Sequence, residues 1–467
     1  MKSKKRNGPS TSRARKRLTK HLEQINLYAA GIDIGSQMHY VAVPEGLDDE
    51  PVRSFSCFTG DLKNMARWLV ETGIDTVAME STGIYWIPAF EILEEYGLEV
   101  LLVNARHVKN VSGRKTDVLD CQWLQQLHTY GLLHGAFRPP EQITALRAYM
   151  RQRETLKRYA SSHIQHMQKA LRQMNLLLDN VVSDITGKTG MTIIRAILEG
   201  ERDPDKLAIY RDKRCKKSEE EISQSLHGHY REEYIFALWQ SLHLYETYLE
   251  QIQACDSAIE QLLGKFDTNG DPDFLPSSKD RKSASAPSFD VRGELYRITG
   301  VDLTRIAGIS EITALKILSE TGTDMSRWKS AKHFSSWLGL SPGNKTSGGK
   351  ILSKNTKRTA NRASSALRMA AYTLSNSKSA LGAYYRRMRS RHGSPKAITA
   401  TAHKLARLIY SMLKNGKEYV DLGQDYYEKQ YKDRVLKNLK RRASQMGFEL
   451  VPCPNIDENL SPAIAIC

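Results

Sequence analysis

A chain of 467 residues is too long for a single hydrophobic core, so two or three domains are expected. Lys and Arg outnumber Asp and Glu by 69 to 52, a net charge of +17; the excess is clustered, which points to a polyanion, nucleic acid before membrane, with solubility alone as the plainer reading. No apolar run approaches a membrane span, and the basic N-terminus lacks the apolar core of a secretory signal. The six cysteines (57, 121, 215, 255, 453 and 467) form no C-x-x-C pair, so reduced thiols in a cytoplasm are expected and a zinc site is not.

Residues 1–20 hold nine Lys or Arg and no acid, a flexible arm suited to phosphates or to solubility. Short β-runs follow at Ala29–Ile34, Met38–Val43 and Val52–Phe58. Leu62–Glu71 has helical spacing, Thr76–Met79 reads as a buried strand, Trp86–Tyr96 as a helix, Val100–Val103 as a strand and Asp117–Leu133 as a helix. That order predicts a mixed sheet flanked by helices. From 143 to 178 a seam of alternating three- and four-residue steps is apolar except at Arg153 and Lys157; a second, from 235 to 263, is broken only by Asp256. Such seams predict coiled coil, paired within one chain or between copies. Between them, Met191–Leu198 reads as a short helix. The expected organisation is α/β plus α: a basic arm (1–24), a mixed-sheet domain (25–138), a helical coiled-coil region (139–266), a polar linker (267–294), a mostly helical C-terminal domain (295–446) and a tail (447–467).

Four acids carry the first chemical signal. Asp33 lies on the strand Ala30-Gly31-Ile32-Asp33-Ile34-Gly35, Glu80 ends Thr76-Val77-Ala78-Met79-Glu80, and Asp117 and Asp120 stand three apart on one helical face. Converging carboxylates repel and are costly to desolvate. Mg²⁺ suits such oxygens and commonly sits between them and phosphate, so the set predicts metal-assisted chemistry on a phosphodiester. Arg106, Arg114 and Lys115 are the basic neighbours at hand; taken singly, each acid reads as a surface charge or a cap.

Gly339-Leu340-Ser341-Pro342-Gly343-Asn344-Lys345-Thr346-Ser347-Gly348-Gly349-Lys350 is the second motif. Its glycines permit a tight turn that presents the Ser347 hydroxyl between Lys345 and Lys350, cations that offset charge developing at phosphorus. On spacing alone a phosphate-holding loop with Ser347 as a bystander remains the plainer reading. Leu303–Ser310 reads either as a helix-hairpin-helix turn or as a packing corner. Basic residues then run through Lys354, Lys357, Arg358, Arg362, Arg368, Arg386, Arg387, Arg389, Arg391, Lys396, Lys404 and Arg407, with Tyr372, Tyr384 and Tyr385 interleaved as stacking or core side chains.

The segments G-I-D-I-G, M-E-S-T-G, V-N-A-R-H-V-K-N and K-T-D-V-L-D, with the distant W-L-G-L-S-P-G-N-K-T-S-G-G-K, resemble the DEDD transposases of bacterial insertion sequences. That family includes Piv-type DNA invertases and bridge-RNA-guided recombinases. The resemblance implies an RNase H-like, RuvC-type domain binding Mg²⁺ through Asp33, Glu80, Asp117 and Asp120. It also implies a C-terminal transposase domain whose nucleophile is Ser347, leaving a phosphoserine link that a 3′-hydroxyl later reverses. A structured noncoding bridge RNA would pair with donor and target DNA. A homo-oligomer, a dimer becoming a tetramer on DNA, would join the acids of one subunit to the serine of another. Lys345, Lys350, Lys354, Lys357, Arg358 and Arg362 are the expected nucleic-acid contacts. The alternatives are a two-metal RuvC-like nuclease or Holliday junction resolvase with water as nucleophile, and a nucleic-acid scaffold without catalysis.

Overall fold

The computed structural model describes residues 23–81, 83–104, 117–276, 287–353, 355–356 and 359–451, in two compact units, 1–138 and 139–467. The basic arm and most of the tail lie outside the described residues, as do positions 105–116 with Arg106, Arg114 and Lys115.

The first unit is built on β1 (Ala29–Ile34), β2 (Met38–Ala42), β3 (Val52–Ser56), β4 (Thr76–Glu80) and β5 (Glu99–Val103), in the order β3-β2-β1-β4-β5. β1, β2 and β3 pair antiparallel; β1–β4 and β4–β5 are parallel. Strand alternation sorts the side chains. Ile32, Ile34, Val41, Val77 and Met79 face α1 (Thr59–Glu71) and α2 (Trp86–Glu95), where Leu62, Met65, Leu69, Phe90 and Leu93 complete the core. Each such side chain contributes roughly 1.5–3 kcal/mol on burial. The opposite face carries α3 (Asp117–Thr129), and Gly31 sets its approach. A Cβ there would lie 2.4 Å from the Cys121 carbonyl oxygen and 2.3 Å from the Gln125 nitrogen, so the helix backbone rests directly on β1. This mixed sheet with helices on both faces is the RNase H-like fold.

The second unit begins with α4 (Glu141–Gln173), which packs along α9 (Glu232–Leu263). Arg153 meets Asp256, and Tyr159 meets Tyr248 with ring centroids 5.7 Å apart, so the helices run antiparallel within one chain. Two of the three residues that interrupt the apolar seams, Arg153 and Asp256, are therefore partners. Arg153 is 3% exposed and Asp256 4%; Nε of Arg153 donates to Oδ1, and Nη2 to Oδ2 at 3.2 Å. At one end the pair is closed by α5 (Leu178–Val181), α6 (Lys188–Leu198), α7 (Pro204–Ala208) and α8 (Glu219–Ser225), whose Ile193, Ile194, Ile197, Leu207 and Ile222 join Met167, Leu171 and Leu238 in a second core.

α10 (Val291–Thr299) starts inside the polar stretch 267–294, because Asp290 caps it by accepting from Gly293 N at 3.1 Å. The start of that stretch is pinned as well: Asn269 and Gly270 N–H groups donate to the Arg297 carbonyl at 2.7 and 3.0 Å. Residues 303–310 form a packing corner. Gly308 has φ +88°, and a Cβ on it would fall 2.9 Å from the Ala370 carbonyl, while Ser310 caps α11 (Glu311–Thr321) through Thr313 N. Glu320 of α11 holds Arg151 of α4 in a two-point pair of 2.8 and 3.0 Å. Then follow α12 (Ala331–Trp337), the hairpin β6 (Lys345–Ser347) and β7 (Lys350–Ser353), α13 (Arg362–Thr373), α14 (Ala380–His392), α15 (Ser394–Asn415) and α16 (Gly423–Gln445). No helix among the described residues is long and apolar enough to cross a membrane.

Candidate active site

The acids of the first unit share one end of the sheet. The parallel register pairs Ile32 with Met79; one step on, Asp33 and Glu80 stand side by side, on the face of Gly31 and hence of α3. The helix runs opposite to β4. At its far end the His128 ring nitrogen Nε2 lies 2.9 Å from the Thr76 hydroxyl. From Thr76 to Glu80 the strand advances about 13 Å. From His128 back to Asp120 the helix advances about 12 Å, which brings its first turn level with Glu80. Electrostatics agree. Burial pushes the Cys121 thiol up to about 12, and the negative charges of Asp33 and Asp120 push in the same direction. Carboxylates from β1 and from α3 thus act on one buried sulfur. Asp117 is exposed at the start of the helix, and Asp33, Glu80 and Asp120 are half-buried.

A hard cation fits this donor chemistry: oxygen ligands only, drawn from three adjacent elements, with the positive end of the α3 macrodipole beside them. Among the described residues, no group of three His, Cys, Asp or Glu converges closely enough to hold a metal ion. The elements are aligned; the side chains are not drawn in.

Three positioning residues escaped the sequence reading. Gly31 lets α3 approach, Cys121 fills the contact, and His128 ties the helix end to β4. A glycine in a strand interior is a signal of close backbone approach, so Gly31 could have been found; the other two have no sequence signature.

In the second unit, Ser347 ends β6 and pairs with Lys350 across a two-residue turn. Gly348 and Gly349 have φ of +54° and +74°, the left-handed geometry that such a tight hairpin needs and glycine adopts without strain. Ser347 and Lys350 are exposed and directly opposite, with side chains on the same face. The base of the hairpin is held by Gly343 N, which donates to the Asn355 carbonyl at 2.9 Å. The histidine nearest before Ser347 in sequence, His333, has its Nδ1 2.9 Å from the Ser330 hydroxyl.

Of the basic residues expected at nucleic acid, Lys354, Lys357 and Arg358 lie outside the described residues, as does the side chain of Lys345. Arg362 pairs with Glu154 of α4 at 3.3 Å. Arg386 is committed to the fold, donating to the Ser375 and Ser377 carbonyls and to Gln424. Tyr385 is fully buried, whereas Tyr372 is exposed.

An RNase H-like sheet with Asp33 and Glu80 at one end, level with the first turn of α3, is compatible with chemistry on phosphodiesters. Comparison with known families is more specific. Residues 30–176 match the DEDD family model of IS110 type, described as "Transposase", and residues 302–386 match "Transposase IS116/IS110/IS902 family". No curated protein matches the chain. The chain carries IS110-family DEDD transposase domains, and with them the work of a DNA-cutting and rejoining enzyme whose substrate is DNA.

Proposed function

We propose that this transposase is a serine-dependent DNA recombinase, aided by Mg²⁺ at its carboxylates and guided by a structured noncoding RNA. The observation that carries the reading is the hairpin tip. It holds the Ser347 hydroxyl out on a glycine turn, opposite a lysine, as a nucleophile must be held to reach a phosphate.

The Ser347 Oγ forms a bond to the scissile phosphorus, and the P–O3′ bond breaks. A carboxylate takes the Ser347 proton and returns it to the departing 3′-oxygen. Lys350 faces the negative charge that grows on the non-bridging oxygens, where a nearby cation is most useful. Asp33, Glu80, Asp117 and Asp120 would hold Mg²⁺, which when bound supplies Lewis acidity toward the phosphate. Bringing the four acids inward falls to side-chain rotation as cation and DNA arrive. Reversal by a 3′-hydroxyl from the other strand restores Ser347 and completes the exchange. A homo-oligomer assembled on DNA supplies the copies needed to break both duplexes.

Ser347→Ala separates this reading from a nuclease or junction resolvase using water. The serine mechanism predicts no strand cleavage by the variant; cleavage at the wild-type rate would establish water as the nucleophile. Guidance has its own test. Sequencing the RNA that copurifies with the protein is expected to return one discrete structured species, and its absence would leave DNA read by protein alone.

A further inference from the structure

Toward the end of the second matched segment and past it, α14, α15 and α16 bring cations together around three tyrosines. Arg387 Cζ lies 3.9 Å from the Tyr431 ring centroid, 4.8 Å from Tyr427 and 5.7 Å from Tyr384. Lys404 Nζ is 4.2 Å from the Tyr384 ring and 5.7 Å from Tyr427. Arg391 stands 5.4 Å from the Tyr431 ring and donates to its hydroxyl. Arg407 and Arg434 are exposed beside them, both close enough to Lys404 to depress its pKa, in which burial leads and Arg387 follows. No described carboxylate forms an ion pair with any of the five. Elsewhere in the same unit Glu154 and Glu418 neutralise their cations directly.

α16 shares this character. It has 23 residues and buries none of them. Its apolar side chains Leu436 and Leu439 stay exposed, so no core among the described residues accounts for it. From Arg434 to Arg442 it carries five Lys or Arg and no acid. Its attachment through Tyr427 and Tyr431 orders the cations without neutralising them: the ring faces attract positive charge, while five like charges still repel one another. An anion with several charges, spaced along a chain, would relieve that repulsion.

We propose that Arg387, Arg391, Lys404, Arg407 and Arg434, ordered by Tyr384, Tyr427 and Tyr431, form a phosphodiester-binding site for a nucleic-acid backbone. The identity of the polyanion rests on the recombinase reading; the site itself rests on the cluster. Its residues lie beyond position 386, except Tyr384, and so outside the matched transposase segments. DNA and RNA offer the same phosphates, and the test separates them.

The full chain is titrated by fluorescence anisotropy against a labelled DNA duplex and a labelled RNA stem-loop of unrelated sequence, over a salt series. Arg387→Gln/Lys404→Gln is compared with Lys213→Gln/Lys216→Gln, which removes equal charge from the loop before α8. The cluster variant is expected to bind about tenfold more weakly, and its log K against log salt slope to fall by about two, one for each phosphate no longer neutralised. Loss with duplex alone assigns the site to DNA, loss with the stem-loop alone assigns it to RNA, and loss with both assigns it to either backbone. Affinity and slope equal to the control on both probes would overturn the proposal and leave the Ser347 chemistry standing. Wild-type protein that binds neither probe would overturn the nucleic-acid reading as a whole. Should the first variant unfold, Arg407→Gln/Arg434→Gln removes two exposed side chains and is held to the same criterion.

Discussion

An asparagine at position 33 keeps the outline of the side chain and removes its charge. Asp33→Asn and Glu80→Gln are each expected to lower strand cleavage roughly a thousandfold, about 4 kcal/mol of barrier. Melting curves run beside the cleavage assay separate a loss of chemistry from a loss of fold. Cleavage within tenfold of wild type would remove these acids from the chemistry. Gly31→Ala tests position rather than charge. Its methyl would meet the Cys121 and Gln125 backbone at under 2.5 Å, so α3 must shift. Overpacking of this kind costs about 1–3 kcal/mol, and cleavage should fall along with stability although all four acids remain. Full activity would show that α3 does not set the spacing. In the other unit, Lys350→Gln is expected to slow formation of a protein–DNA adduct about tenfold to a hundredfold while Ser347 stays in place, as read by quenched-flow gel analysis. Gly348 and Gly349, with nothing near them that a side chain would meet, are constrained by backbone conformation alone.

Among the elements, α3 has a built-in pH response at its far end. Burial pushes His128 down to about 4 from its ordinary value near 6.5. Between those two pH values the unfolded chain binds a proton that the folded chain refuses, so stability falls as pH is lowered through that window. Thermal melts from pH 7 to pH 4 should show a drop in Tm that His128→Gln flattens; parallel curves would refute the assignment. The α4–α9 pair makes a sharper prediction. Asp256→Leu strands the buried Arg153 charge and should cost about 3–5 kcal/mol, whereas Arg153→Met/Asp256→Leu should recover most of that loss. Chemical denaturation of the two variants decides it, and equal loss in both would mean that the pair is not a unit. These helices also mark the limit of sequence patterning. A seam of period 3.5 states that an apolar stripe exists, not what covers it, so pairing within the chain or between copies stayed open. Two of the three polar interruptions held the answer, since the unlike charges of Arg153 and Asp256 are both buried and pair with each other.

Across the whole molecule, the parts read best from sequence were those governed by neighbours along the chain. The strands of the first unit appear within two residues of their expected ends because alternation and turn residues are local. The helix expected over 117–133 stops at Thr129, where Gly131 turns the backbone left-handed at φ +63° and Leu132 N closes on the Leu127 carbonyl at 3.0 Å. Contacts between distant segments were not legible: His128 against Thr76, Gly31 under Cys121, and the tyrosine cluster that gathers three helices. The net charge of +17 belongs to this scale too. Part of the basic run is already engaged within the chain, Arg386 with carbonyls and Arg362 with Glu154, so the salt dependence of DNA binding should be smaller than the charge count alone implies.

The central claim is that the Ser347 oxygen becomes bonded to DNA phosphorus. Protein reacted with cognate DNA and Mg²⁺, denatured, digested and mapped by mass spectrometry should yield a nucleotide-modified peptide containing Ser347, absent from Asp33→Asn and from Ser347→Ala. Cleaved DNA with no modified peptide, or a modification on another residue, would contradict the account.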